Sequence, residues 1–203
     1  MKIYLLILGI FFSLTLHADN MQEANLAYDN GNYKKAYELW LPYAEKREIR
    51  AMHNIGTMSL KGQGITANDY EAFKWYSMAA EAGLAESQYA LGLLYKSGEG
   101  TNKDLSEAFR LFYKAAKQDV IEAQVELAIM YNDGYYFNEG FKLLKKAADQ
   151  GSAKAQYKLT MSYCFGLGTD KNLKEALFWA EQTKDSGLFS QEIIDKLWKT
   201  CKL

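Results

Sequence analysis

Cys164 and Cys201 are the two cysteines of the chain, 37 residues apart, and they can either pair or remain thiols. His53 is the single histidine beyond residue 18. A lone imidazole does not make a metal site, which needs several ligands converging on one ion. No Ser/Asp motif near it suggests a triad, and it reads as an ordinary surface residue. No serine is followed by lysine at the third position, so the Ser-x-x-Lys nucleophile of penicillin-recognising enzymes is absent. Gly62-Gln63-Gly64 and Gly98-Glu99-Gly100 lack the Gly-Lys-Ser/Thr ending and the preceding strand of a phosphate loop, so they read as turns. Glu122 and Glu126 stand at i, i+4 and read as a solvated helix face. No catalytic residue, cofactor or metal is therefore expected.

The elements that would carry any site are set by composition and period. A formal net charge of -1 over 203 residues lacks the basic footprint of a nucleic-acid binder. One proline and 49% hydrophobic residues fit a folded, helical chain. Lys2, the apolar run Ile3–Leu16 and the small residue Ala18 have the layout of a secretion signal, with cleavage near Ala18. The run is shorter than the roughly 20 residues of a membrane span. The mature chain is then expected in the periplasm or outside the cell, away from the membrane, where cysteine pairing is permitted.

Gly56, Gly92 and Ala128 are spaced 36 residues apart, and their surroundings recur with them. A fixed period of this size implies stacked helix pairs. Each unit opens on a small residue and Gln (Ser87-Gln88, Ala123-Gln124, Ala155-Gln156) and continues to an aliphatic residue (Ile55, Leu91, Leu127, Leu159). A tiny residue follows it, and three positions later an aromatic one (Tyr95, Tyr131, Tyr163; Ser59 in the first copy). Glycine turns lead to a second helix carrying Ala72, Ala108, Gly140 or Ala176, and in three copies to an Ala-Ala pair. Ala72, Trp75, Tyr76 and Ala79 fall at i, i+3, i+4, i+7, one apolar stripe. The expected organisation is a signal peptide (1–18), a divergent N-terminal capping helix pair (19–50), four repeats (51–84, 85–120, 121–152, 153–188) and a C-terminal capping helix (189–203).

These residues resemble the Sel-1-like repeat family: small-Gln-x-x-Leu-Gly-x-x-Tyr-x-x-Gly-x-Gly, then Ala-x-x-Trp-Tyr-x-x-Ala-Ala, most fully over Ala85–Ala116. The resemblance implies an all-α, right-handed superhelical solenoid of antiparallel helix pairs, related to tetratricopeptide repeats and used for protein–protein contact. A cysteine-rich branch of that family carries paired cysteines in each repeat. The matching positions here, such as Gln88 and Ala116, are not cysteine, so the penicillin-related activities attributed to that branch do not transfer. Repeat three departs from the pattern. Its link is four residues shorter, the second turn glycine is missing, and Tyr135-Tyr136-Phe137 fill the gap. Gly140 replaces the usual alanine, which by helix propensity alone costs about 1 kcal/mol.

First helices of this repeat type are expected to line a concave face. The positions between the Leu and Tyr columns are His53, Thr57, Tyr89, Leu93, Val125, Ile129, Tyr157 and Met161, more apolar than a bare solvated face needs. They form the candidate surface for an extended segment or helix of another protein, unless curvature buries them between repeats. Asn54, Glu126 and Lys158 stand at its rim. Tyr135 and Tyr136 form a second candidate patch, with Phe137 packed like Leu105 and Leu173. If the closing helix stacks as another first helix, Cys164 and Cys201 reach similar heights on adjacent helices. The expected function is an exported, non-catalytic adaptor, with an envelope hydrolase, β-lactamase-like or peptidoglycan-active, as the alternative. Oligomeric state is not legible.

Overall fold

The computed structural model describes residues 20–183, together with 186, 192, 195, 196, 199 and 201. The apolar leader and Ile193, Ile194, Leu197 and Trp198 of the closing helix lie outside the described residues; 192, 195, 196, 199 and 201 of that segment are helical. Among the described residues there is no strand, and the all-α class expected from the period is the one found.

The helices fall into two compact units that meet in sequence at Asp104 and Leu105. The first holds α1 (20–29), α2 (Tyr33–Glu45), α3 (Ile49–Lys61), α4 (Asp69–Glu81) and α5 (Ala85–Ser97). The second holds α6 (Leu105–Lys117), α7 (Ile121–Asp133), α8 (Phe137–Asp149), α9 (Ala153–Phe165) and α10 (Leu173–Gln182). In the first unit α2 packs on α3, α3 on α4 and α4 on α5. In the second, α6 packs on α7, α7 on α8, α8 on α9 and α9 on α10.

Local chemistry sets the helix ends. Asn32, Asn68 and Asn172 cap second helices, each side chain accepting from the backbone N–H three residues on. First helices α3, α5 and α9 stop at Gly62, Gly98 and Gly166, all left-handed, where a side chain would be strained. Each long link then closes with one bond: Asn68 to the Ser59 carbonyl, Asp104 to Tyr95, and Asn172 to Tyr163.

Packing explains the rest of the repeated pattern. Ala36, Ala72, Ala79, Ala108, Ala115 and Ala147 are fully buried, so each marks a place where helices approach closely. The tyrosine column works between repeats. Phe73 meets Tyr95, Phe109 meets Tyr131 and Phe141 meets Tyr163, all edge-on, with ring centroids 5.3–5.4 Å apart. In two of its three copies the Gln of the small-Gln pair serves the end of the preceding helix. Gln88 Nε2 donates to the Ala80 carbonyl (3.3 Å) and Gln156 Nε2 to that of Ala148 (3.4 Å). Each of these carbonyls in the last helical turn also accepts a backbone N–H, from Gly83 and Gly151 respectively.

Gly140 is not the simple loss that propensity implies. A Cβ there would strike the Asn132 side chain and lie 3.0 Å from the Ala128 carbonyl. Asn132 stands where the other first helices have Leu60, Lys96 or Cys164, and its Oδ1 is buried. The two residues therefore fit as a pair. Gly140→Ala is expected to destabilise by about 1–3 kcal/mol through overpacking, rather than stabilise. In urea melts Asn132→Ala should recover most of that loss. An increase in stability for Gly140→Ala alone would refute the account.

Candidate functional site

In the first unit, α1, α2 and α3 enclose an open cavity of about 450 Å³ lined by Asn25, Tyr28, Asp29, Trp40, His53, Asn54 and Thr57. A second depression of about 330 Å³ shares Asn25, His53 and Asn54 and adds Met21, Arg50, Leu84 and Glu86. The walls combine aromatic surface with amide and carboxylate groups. Tyr28 packs against Trp40 with centroids 5.4 Å apart, and its hydroxyl donates to Gln63 Oε1 (3.0 Å). Side-chain amides beside the half-buried Tyr28 ring suit a polypeptide backbone, which presents donors and acceptors in turn.

His53 is half-buried, not the surface residue expected from its position. Its Nδ1 shares a hydrogen bond with Ser87 Oγ (2.8 Å), and its ring lies 5.4 Å from that of Tyr76. Burial pushes its pKa down, with the Glu86 carboxylate opposing and Arg50 assisting, so the neutral imidazole is favoured. Thr57 donates to the His53 carbonyl and shares a bond with the Tyr76 hydroxyl (2.9 Å). Ser87 is fully buried, so this Ser–His contact is a packing bond with no access for a substrate.

Of the residues read as the groove, His53, Thr57, Tyr89 and Leu93 are half-buried in the first unit. Ile129, Tyr157 and Met161 are half-buried in the second, where Ile129 packs on the core around Leu144 and Leu159. Tyr157 and Met161 pack beside Cys164, Ala176 and Ala180. Val125 departs from the expectation. It is 1% exposed and belongs to the Leu144 core, because its side chain falls between α7 and its neighbours. Glu126 departs too: it is 6% exposed and takes an ion pair from Lys154 (2.7 Å), so it belongs neither to a solvated face nor to a rim. Asn25 and Asp29 lie in the divergent opening pair, where no repeat pattern marks them, whereas Trp40 stands 36 residues before Tyr76, in register with Ala36 and Ala44.

Tyr135 and Tyr136 are 82% and 62% exposed, while Phe137 is half-buried as the counterpart of Leu173. Their link copies the opening turn of the chain. Asn30, Gly31 and Asn32 bond back to Leu26, Tyr28 and Ala27; Gly134, Tyr135 and Tyr136 bond back to Met130, Asn132 and Tyr131 at the same offsets. Tyr135 thus occupies the left-handed position of Gly31 (φ 64° against 75°). Tyr136 holds the N-cap place of Asn32 without a capping bond. At the far end of the second unit, Cys164 and Cys201 form a disulfide with Cα atoms 5.1 Å apart. Among the described residues no cluster of three His, Cys, Asp or Glu gathers as a cation site.

With this geometry in hand, the similarities to known proteins are specific. A Sel1 repeat protein from Oxalobacter formigenes superposes with a TM-score of 0.77 at 30% identity, covering 82% of this chain and 70% of that one. A protective antigen of uropathogenic Escherichia coli with an SLR fold gives 0.79 at 26% identity, over 86% of this chain and 39% of the antigen. A stretch of 58 residues is 38% identical to an exopolysaccharide production negative regulator of Rhizobium leguminosarum bv. viciae, spanning 29% of this chain and 22% of the regulator. The Sel1 repeat pattern itself matches residues 49–84, 85–120, 121–152 and 153–188, the first copy starting two residues earlier than the turn pattern implies, where α3 begins. Well over half of the chain is accounted for by these matches, and the protein belongs to the Sel1 repeat family.

Proposed function

We propose that this Sel1 repeat protein is an exported, non-catalytic adaptor that holds an extended segment or helix of another protein. Its partners include neither nucleic acid nor, once the leader is removed, a membrane. The observation that carries the reading is the depression between α1 and α3, where Asn25, Asp29 and Asn54 stand over Tyr28 and Trp40. Amide groups along it match main-chain donors and acceptors, and half-buried Tyr28 contributes apolar surface, while Trp40 behind it belongs to the core. Leu93 adds apolar surface within the first unit, and Ile129, Tyr157 and Met161 are half-buried apolar residues on the first helices of the second unit by itself. The buried state of Ser87 supports a non-catalytic role.

Asn25→Arg/Asn54→Arg would crowd the depression without touching the core. Cross-linking capture from the native envelope should lose its principal partner with this variant. Recovery of the same partners by a folded double variant would remove the depression from the account. Export is supported by the apolar run over 3–16 and by the Cys164–Cys201 pair, which persists in oxidising compartments. Edman sequencing of the mature protein should begin at Asp19, and recovery of the uncleaved chain from the cytoplasm would overturn that part.

A further inference from the structure

Three of the long links have a second task besides joining two helices. The second glycine of each lies flat on the start of the preceding second helix. A Cβ on Gly64 would come within 2.6 Å of the Tyr33–Lys34 backbone; one on Gly100 would run into the Asp69 carbonyl, and one on Gly168 into that of Phe137. Each link is thus an extended segment seated on the first turn of α2, α4 or α8. By the same spacing, the link of repeat three should seat on Leu105 at the start of α6. It is four residues shorter and has Tyr136 in place of the second glycine.

Leu105 is 49% exposed; of the residues under glycine links, Tyr33 and Phe137 are half-buried and Asp69 is exposed. One turn along α6, Phe109 stacks on Tyr131, and Tyr131 meets Tyr136 (centroids 6.3 Å apart). Leu105, one turn before Phe109, and the series Phe109, Tyr131 and Tyr136 mark the place of the notch that a shortened link would leave, with Tyr135 exposed beside it. The two tyrosines at this notch are poor choices for the turn they occupy. Gly31 and Asn32 stand at the equivalent places in the opening turn, where glycine suits the left-handed backbone and asparagine caps the helix. Residues that weaken local structure yet remain exposed are expected where contact, rather than stability, selects them.

We infer that the notch of repeat three binds an extended, glycine-containing segment of another protein, which takes the place that the chain's own link takes in repeats one, two and four. The occupant is identified by three precedents in the same molecule. Its glycine lies against the Leu105 carbonyl, where a Cβ has no room, and Tyr135 and Tyr136 close over its flanks. This rests on the adaptor reading but uses a separate surface, so the two can fail independently.

The test uses the full mature chain and the peptide Ser-Gly-Glu-Gly-Thr-Asn-Lys-Asp, copied from residues 97–104. NMR titration should shift Leu105, Phe109, Tyr131, Tyr135 and Tyr136. The same peptide with alanine at its second glycine should bind at least about tenfold more weakly, a ratio set by the overpacking of one Cβ. A variant carrying residues 98–104 in place of 134–136 fills its own notch and should not bind. Should that graft fold poorly, Tyr135→Gly/Tyr136→Asn serves in its place. It should melt a few degrees higher than wild type (roughly 2–4 °C per kcal/mol gained) and still lose peptide binding. Asn25→Arg/Asn54→Arg should bind the peptide as wild type does. Absence of shifts at these residues, equal binding of the alanine peptide, or unchanged binding by Tyr135→Gly/Tyr136→Asn would overturn the inference. So would a concentration-dependent dimer that this double variant abolishes, which would assign the notch to a second copy.

Discussion

Gly168→Ala should destabilise the second unit by about 2–5 kcal/mol, the sum of a left-handed side chain and a steric clash. Gly168 has φ 74°, and a Cβ there would meet the Phe137 carbonyl and lie 2.8 Å from Phe141 Cβ. Backbone cannot yield as the tip of a long side chain can, so the link must lift from α8 or the helix start must move. The control is built into the chain. Gly31 has φ 75° and Gly151 φ 87°, yet nothing lies within 4 Å of a Cβ at either. Their alanine variants carry the conformational cost alone, about 1–2 kcal/mol. Urea melts of the three variants separate the terms. Equal losses would mean that these glycines serve the turn only and that the seating of links on preceding helices carries no energy.

Breaking the Cys164–Cys201 bridge is the second large effect. The bond joins residues 37 apart, and the chain-entropy estimate for such a loop is about 4 kcal/mol, an upper value because reduced chains keep some structure. Cys201→Ser is the better variant. Cys164 is 2% exposed among Ala176 and Ala180, where a serine hydroxyl would be buried without an assigned partner. The expected result is a lower denaturation midpoint for Cys201→Ser, matched by wild type in reductant. The variant itself should be insensitive to reductant. Wild type that melts identically with and without reductant, with thiol titration confirming full reduction, would show that the bridge contributes nothing to the folded state.

Much of this architecture was legible before any coordinates. The recurrence of Ala72, Ala108 and Ala176 marks close helix contacts because only a methyl fits there, and all three are buried. Tyr95, Tyr131 and Tyr163 were readable as groove-filling residues, although their specific ring partners, Phe73, Phe109 and Phe141, were not. The site was less legible. Val125 sits in the same column as Tyr89 and Tyr157 but is buried, since a column in sequence does not say how far each helix is turned toward its neighbours. Glu126 reads as surface until Lys154, 28 residues away, is seen beside it. Asn25 and Asp29 line the depression beside His53 yet carry no repeated signature.

By itself the sequence determined the helical class, the length of the period, the glycine turns that follow three of the first helices, and the place where the period breaks. These depend on interactions a few residues apart: a capping amide, a left-handed glycine, a stripe at i, i+3, i+4. Only the tertiary structure decided that Gly140 accommodates Asn132, that Gly64, Gly100 and Gly168 seat links on preceding helices, and that Leu105 at the start of α6 is exposed. Those outcomes depend on atoms brought together from distant parts of the chain, and the space between two surfaces is a property of neither alone.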